Sequence, residues 1–473
     1  MTIQQVEFLI IGGGPGGTPA AMALASAGKS VMLVEKGQGL GGTCLFEGCI
    51  PSKIFRESAR RLRELKEAGE FGLCLPTLDV AVNWSAVLER KRLILQQRSE
   101  AALHKSQQLP TLKTVFGACK LRDSRSAVIE TETGDKLEVR FEKAILATGS
   151  VPFVAPIKGS DHPRVYDSES ILNIDHIPKR LVIIGGGPIG VELGQVFNTL
   201  GSEVSILEAA SRILGPVDEE LGSRLQQRMS DEGIAILTAC NIRDIVTTGQ
   251  AVFVEYNING GEEQHKLADT VLMVTGRRPN VEDLGLENTR VLHDLHGITV
   301  NDTLETDEAG IYAVGDVIGQ PMFAHWATAQ GLALTCHLMG QPVKFPTVET
   351  NTAVIFSEPE IGIAGLTEQQ AKQAGLNIQV ASYDYRQDAR AQIAGRADGL
   401  LKIIFDIDSR RVVGVHIMVE GAGHLMGEAA LLIKTGVPIE VVAAAIHPHP
   451  TLAESFVVAV RNVMARAAKQ TAN

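Results

Sequence analysis

Two cysteines stand five positions apart in Gly41-Gly42-Thr43-Cys44-Leu45-Phe46-Glu47-Gly48-Cys49-Ile50-Pro51-Ser52-Lys53. Thiols in such proximity can form a bridge, and the reacting species is the thiolate, which a helix N-terminus favours. A helical pattern runs from Pro51 through Ile54, Ala59, Leu62 and Leu65, which puts the pair at or near such a terminus. Five residues of regular helix rise about 7.5 Å, beyond the roughly 7 Å Cα separation a disulfide tolerates. A bridge here needs a distorted turn, which Gly48 permits. Two buried core cysteines are a competing reading; half of a zinc site is a weaker one, because no second pair stands at metal spacing. Cys74, Cys119, Cys240 and Cys336 are isolated in sequence and read as core or surface residues. No metal site is expected.

Near the other end, Ile446-His447-Pro448-His449-Pro450-Thr451-Leu452-Ala453-Glu454 places a carboxylate five residues after a histidine. Such a pair can act as a base and the group that fixes its tautomer. A solvated loop carrying both residue types is the alternative. His447 and His449 as a metal pair lack a third ligand nearby.

The elements that must carry these residues are legible from a repeat. Phe8-Leu9-Ile10-Ile11 leads into Gly12-Gly13-Gly14-Pro15-Gly16-Gly17, and Leu181-Val182-Ile183-Ile184 leads into Gly185-Gly186-Gly187-Pro188-Ile189-Gly190. Each apolar run predicts a strand, and each glycine turn opens a helical pattern, Thr18 to Ala27 and Val191 to Leu200. Gly28 and Gly201 then stand where a helix-terminating glycine belongs. A second strand follows in each copy, Ser30 to Val34 and Glu203 to Leu207, ending in an acid: Glu35 lies 23 positions after Gly12, and Glu208 lies 23 after Gly185. This is a βαβ dinucleotide fingerprint written twice. Gly12 and Gly185 make the tight turn, Gly14 and Gly187 let backbone approach a pyrophosphate, and Gly17 and Gly190 let helix pack on strand. The acid receives a ribose diol, and an acid at Glu208 repels a 2′-phosphate, which favours NAD over NADP; Arg212, four residues on, tempers that preference.

Composition bounds the rest. A length of 473 residues suggests about three domains. The 47 glycines exceed the usual share of about 7%, without low-complexity repeats. With 45% hydrophobic and 21% charged residues, disorder and collagen are excluded. A net charge of −11 offers no basic footprint for nucleic acid or anionic lipid. Six cysteines do not make a disulfide scaffold. No long uncharged apolar stretch appears, and the first strand begins almost at the first residue, so the expectation is a cytoplasmic protein with no membrane span.

Taken together, these residues resemble the class I pyridine nucleotide-disulfide oxidoreductases, and within them the dihydrolipoamide dehydrogenase branch. The resemblance covers almost the whole chain. It also rests on Ala147-Thr148-Gly149, on Thr275-Gly276-Arg277-Arg278-Pro279-Asn280, on Ile311-Tyr312-Ala313-Val314-Gly315-Asp316, and on Gly421-Ala422-Gly423 through Glu428. It implies an α/β chain with two Rossmann-like dinucleotide-binding domains and a C-terminal α+β dimerisation domain. The implied segments are an FAD-binding domain over 1–149 and again over 280–345, an NAD-binding domain over 150–279, and a dimerisation domain over 346–473.

The resemblance also assigns roles. Gly12, Gly14, Gly17 and Glu35 would hold FAD, together with Thr148, Gly149 and Asp316; Gly185, Gly187, Gly190, Glu208 and Gly276 would hold NAD. Cys49 would be the flavin-proximal thiol and Cys44 the interchange thiol. Lys53 and Glu192 would form a charge pair beside the flavin, and His449, oriented by Glu454, would take the substrate thiol's proton from across a homodimer. The implied partner is a lipoyl-bearing protein: the lipoyl domain of a 2-oxoacid dehydrogenase complex, a glycine cleavage H protein or another lipoate carrier. Glutathione-type reductases, which use NADPH and usually carry Arg near the position of Glu208, fit less well. Mercuric reductases lack the His base and soluble transhydrogenases lack the redox cysteines. An assembly or regulatory flavoprotein with weak diaphorase activity is a further alternative, opposed by the intact cysteines and His449. Two departures from the branch stand out. Leu45-Phe46-Glu47-Gly48 puts a carboxylate between the cysteines, and Trp326 and Gln330 interrupt the usual Ala-His-Lys-Ala segment and the acidic residues after it.

Overall fold

The computed structural model of the chain describes residues 3–74, 80–248 and 251–471, with side chains through Arg466. It divides into two compact units, one of residues 1–156, 165–177 and 272–346, the other of residues 157–164, 178–271 and 347–473.

In the first unit, strands Ile3–Ile11, Val31–Glu35, Lys136–Leu146 and Ile311–Ala313 run parallel, with the start of Leu112–Asp123 beside Val31–Glu35. Leu112–Asp123 continues antiparallel to Ser126–Thr131, which returns antiparallel to Lys136–Leu146. Side chains alternate across a strand, and here both faces are covered. Phe8, Ile10, Val31 and Leu33 enter one cluster with Ala20, Ala21 and Leu24 of helix Gly17–Ser26. Leu9, Ile11, Met32 and Val34 enter another with Ala144 and Leu146. That double burial is why the strands read as unbroken apolar runs.

The second unit repeats the arrangement. Strands Arg180–Ile184, Glu203–Leu207 and Ala235–Leu237 are parallel neighbours, and helix Pro188–Thr199 connects the first two. This helix begins three residues before the Val191 expected from periodicity, because Pro188 supplies a first-turn residue whose φ is already helical. Strands Cys240–Thr248, Ala251–Ile258 and Glu263–Ala268 form an antiparallel meander.

The C-terminal part of this unit is an antiparallel sheet in the order Thr352–Ile355, Ile361–Gly365, Val412–Met418, Leu400–Asp406, Ile378–Asp384. Helices Ala422–Thr435 and Glu454–Thr471 pack on it through Met426, Ala429, Phe456, Ala459 and Val460. The architecture is the expected α/β one: two Rossmann-like folds and a C-terminal α+β domain. Among the described residues no helix is long and apolar enough to cross a membrane.

Candidate active site

The first glycine loop has the shape its composition predicts. Gly12 has φ +112°, and a Cβ there would lie 2.2 Å from the Ala147 carbonyl oxygen. A Cβ on Gly17 would lie 1.9 Å from the Gly12 carbonyl oxygen, so helix and strand touch backbone to backbone. Only the middle position is open, since a Cβ on Gly14 would meet nothing nearer than Gly42 Cα at 3.8 Å. Glu35 closes the loop: its Oε2 accepts the Gly13 N–H and its Oε1 the Gly37 N–H, each at 2.6 Å.

The second loop repeats this geometry, with Ile189 in the place of Gly16. Gly185 has φ +117°, a Cβ on Gly190 would lie 2.0 Å from the Gly185 oxygen, and a Cβ on Gly187 would meet nothing within 4 Å. Glu208 accepts the Gly186 and Ala210 N–H groups at 2.6 Å. Open middle glycines at helix N-termini fit the pyrophosphate of a dinucleotide, and each carboxylate oxygen keeps a lone pair for a ribose hydroxyl.

The cysteine segment docks on the first of these loops. Gly41 N–H donates to Gly13 O at 2.9 Å, and a Cβ on Gly42, which has φ +58°, would lie 2.7 Å from Gly14 Cα. The sequence reading put both cysteines at one helix terminus; the structure divides them. Cys44 lies in the one-turn helix Gly42–Phe46, and Cys49 is the first residue of helix Cys49–Glu67, with the break at Glu47 and Gly48. Gly48 caps that helix without a side-chain hydrogen bond, leaving its first N–H groups and its dipole to act on Cys49.

Both residues are thiols, Cys49 exposed and Cys44 half-buried. A hydrogen bond to Cys49, then burial and the charge on Cys49, push the Cys44 thiol far above the usual range. Cys44 is thereby held as the thiol member of the pair. Glu47 faces the carboxylates Glu169, Asp167 and Glu35 as well as Arg277; burial, then Glu169, push its carboxyl up.

Other predicted residues surround the same loop. Thr148 Oγ1 donates to Asn280 O at 2.7 Å, and Asn280 N–H donates to Gly149 O at 2.9 Å. Asp316 Oδ2 accepts from Ser150 Oγ at 2.7 Å, and burial pushes its carboxyl up. Arg277 Nε donates to Ser150 Oγ at 2.8 Å, and its Nη2 reaches both Ser150 O at 2.7 Å and Glu169 at 2.9 Å. Gln330 Oε1 accepts the Gly315 N–H at 2.8 Å. Arg277 was visible in sequence only within a motif and Gln330 only as a departure from the branch, whereas Ser150 and Glu169 carried no local mark of a role. The departures Trp326 and Gln330 are buried on helix Ala324–Leu338, where Gln330 fixes the residue before Asp316. Gly276, with φ +132°, is open to a Cβ, and its carbonyl accepts from Phe153 N–H at 3.0 Å.

Lys53 lies one helical turn after Cys49 in the first unit, its Nζ 3.4 Å from Ser52 Oγ. Glu192 lies on helix Pro188–Thr199 in the second, where its Oε1 accepts the Phe356 N–H at 2.8 Å. His449 Nδ1 stands 3.0 and 3.1 Å from the Glu454 oxygens, and Thr451 N–H donates to Glu454 at 2.9 Å. The Thr451 N–H and then His449 hold the Glu454 carboxyl below its ordinary value. With Nδ1–H on Glu454, Nε2 of His449 is the free basic nitrogen, on a side chain 73% exposed. Among the described residues no three His, Cys, Asp or Glu side chains group as metal ligands.

Known proteins share this plan. Residues 6–331 match the family model described as pyridine nucleotide-disulphide oxidoreductase, and residues 352–460 match that family's dimerisation domain. The chain is 33% identical over 453 residues to a dihydrolipoyl dehydrogenase of Bacillus subtilis (strain 168), covering 95% of this chain and 97% of that protein. It is likewise 33% identical over 454 residues to a leghemoglobin reductase of Glycine max, covering 95% and 86%. The Cu(II) complex of the HOCl-induced flavoprotein disulfide reductase RclA from Escherichia coli superposes with a TM-score of 0.87 at 27% identity, over 97% of this chain and 100% of that one. Two acid-tied glycine loops, a thiol pair seated on the first and a matching dimerisation domain have one reading: the chain belongs to the pyridine nucleotide-disulphide oxidoreductases, enzymes that use FAD and a nicotinamide dinucleotide.

Proposed function

We propose that this chain is an NAD-linked dihydrolipoyl dehydrogenase, oxidising protein-bound dihydrolipoyl groups through Cys44 and Cys49. One observation carries the reading: the cysteine segment is seated on the first glycine loop, with Cys44 held protonated beside Cys49. Such a pair has a division of labour, one sulfur to meet substrate and one to carry charge toward the dinucleotide.

From the oxidised pair, His449 Nε2 takes the proton of a substrate thiol while Glu454 holds Nδ1–H. The substrate thiolate attacks Cys44 Sγ, the Cys44–Cys49 bond breaks, and Cys49 leaves as a thiolate favoured by its helix terminus. The second substrate thiol displaces Cys44 from the mixed disulfide and gives it a proton, closing the lipoyl ring. When bound, FAD would supply the remaining redox chemistry between the cysteine pair and NAD+.

The other residues keep the roles the resemblance assigned. Gly12, Gly14, Gly17, Glu35, Thr148, Gly149 and Asp316 hold FAD in the domain formed by 1–149 and 280–345. Gly185, Gly187, Gly190, Glu208 and Gly276 hold NAD in 150–279, and Lys53 and Glu192 form a charge pair beside the flavin. The dimerisation domain over 346–473 supplies His449 and Glu454 to the partner subunit's site, so the active unit is a homodimer in the cytoplasm. The decisive measurement is steady-state turnover with dihydrolipoamide and NAD+ against glutathione disulfide and NADPH. Turnover with the first pair is expected; turnover with the second alone would replace the proposal with a glutathione-type reductase.

A further inference from the structure

Two carboxylate–imidazole pairs share the loop that carries His449. Besides the His449–Glu454 contact, His447 Nε2 stands 3.0 and 3.3 Å from the Glu428 oxygens. The two imidazoles differ in environment: the His447 side chain is 10% exposed and that of His449 73%. Glu428 belongs to helix Ala422–Thr435 and Glu454 opens helix Glu454–Thr471, so the loop is tied at both ends to different helices of the same unit.

Between the ties the backbone has little freedom. Pro448 and Pro450 fix their own φ, and each histidine, preceding a proline, is pressed toward extended conformations. Thr451 Oγ1 donates to Pro448 O at 2.7 Å and closes the turn. With Nε2–H on Glu428, the Nδ1 of His447 is a buried acceptor without a hydrogen-bond partner among the described residues. This imidazole therefore gives one strong bond and leaves its other nitrogen unused, the mark of an anchor and not of a proton carrier. Among the described residues, Glu428 and Glu454 are the carboxylates bonded to the loop's imidazoles; burial pushes the nearby Tyr383 hydroxyl to about 12 and also raises that of Tyr385, so neither tyrosine titrates near neutrality.

We infer that His447, clamped by Glu428, is a positioning residue that fixes the direction in which His449 presents its free nitrogen. The inference rests on the proposed role of His449 as the thiol base. The test compares the holoenzyme with His447→Ala and His447→Gln, measuring dihydrolipoamide oxidation and, separately, NADH-driven quinone reduction, which bypasses the thiol step. Loss of an orienting partner typically costs about 10–100-fold, and that loss is expected in kcat for dihydrolipoamide with His447→Ala, with KM little changed and quinone reduction retained. His447→Gln, whose amide still donates to Glu428, is expected to recover most of the loss. Parental kcat in His447→Ala, or equal loss in both variants, would overturn the inference. Should the parent itself fail to oxidise dihydrolipoamide, the functional proposal falls. Hydrogen exchange at the Thr451 amide then decides the positioning: faster exchange in His447→Ala than in His447→Gln supports it, and equal exchange refutes it.

Discussion

Arg212 donates to the Val217 carbonyl at 2.9 Å, and its other hydrogen bonds go to the carbonyls of Leu214 and Gly215. The cation that tempered the NAD preference in sequence is committed to its own loop, while Glu208 is fixed beside Gly186. NADH is expected to be preferred over NADPH. A hydrogen bond to a charged group contributes about 1.5–3 kcal/mol, so Glu208→Ala is expected to raise the KM for NADH roughly 10- to 100-fold with flavin content unchanged. Equal use of NADH and NADPH by the parent would sink the assignment.

Cys49, at an uncapped helix terminus beside a protonated Cys44, is expected to give a long-wavelength charge-transfer absorbance with FAD when the holoenzyme is reduced by a dithiol without NAD+. Cys44→Ser should retain that band, because Cys49 is the sulfur that stands at the helix terminus. Cys49→Ser should lose it together with dihydrolipoamide turnover. A merely bleached flavin in the parent counts against the assignment.

The His449–Glu454 pair and the cysteines are expected to meet across subunits. Mixing His449→Ala protomers with Cys44→Ser protomers should then restore about one competent site per mixed dimer. A positioned base contributes about 10²–10⁴-fold, so recovered turnover would stand well above either homodimer. No recovery would mean that each chain is self-sufficient.

His416 predicts how stability changes with pH. It is fully buried on strand Val412–Met418, its Nε2 bonded to Leu366 O at 2.9 Å, with Lys402, Asp218 and Glu368 nearby. Burial lowers its pKa below the ordinary 6.5, so the folded chain keeps it neutral where the unfolded chain takes up a proton. This contribution is whole above pH 6.5 and is lost as pH falls toward the folded value. Melting temperature should decline through that window, and His416→Gln, which keeps a donor for Leu366, should flatten the decline. An unchanged slope in the variant would place the acid sensitivity elsewhere.

What the sequence revealed was local. Strand, glycine turn, helix and acid lie within about two dozen residues, so spacing alone placed Glu35 and Glu208 at their loops, while their bonds to the Gly13 and Gly186 N–H groups came only with the structure. The His449–Glu454 contact spans five positions and was visible as a hint. Arg277 with Ser150 and buried Lys402 with Asp218 at 2.9 Å join residues far apart in sequence, and Gln330 with Gly315 joins a helix to a separate turn; no periodicity encodes such partners. Nor does any spacing motif link Glu428, on a helix, to His447, in the loop beyond it. The helix break between Cys44 and Cys49 was hidden for another reason: Gly48 marked a distortion without specifying two separate helices.

The ties from Glu35 and Glu208 bear on a cost that glycine ordinarily imposes. Glycine has the most backbone freedom to lose, and fixing one residue takes roughly 1–2 kcal/mol. A slack glycine turn would meet that cost each time a nucleotide arrived, and its affinity would fall accordingly. Here the carboxylate 22 positions along the chain already holds the N–H of Gly13 or Gly186, so the turns are ordered when the chain folds. The nucleotide meets a preorganised surface, and the entropy of the most mobile residue type is charged to folding instead of to binding.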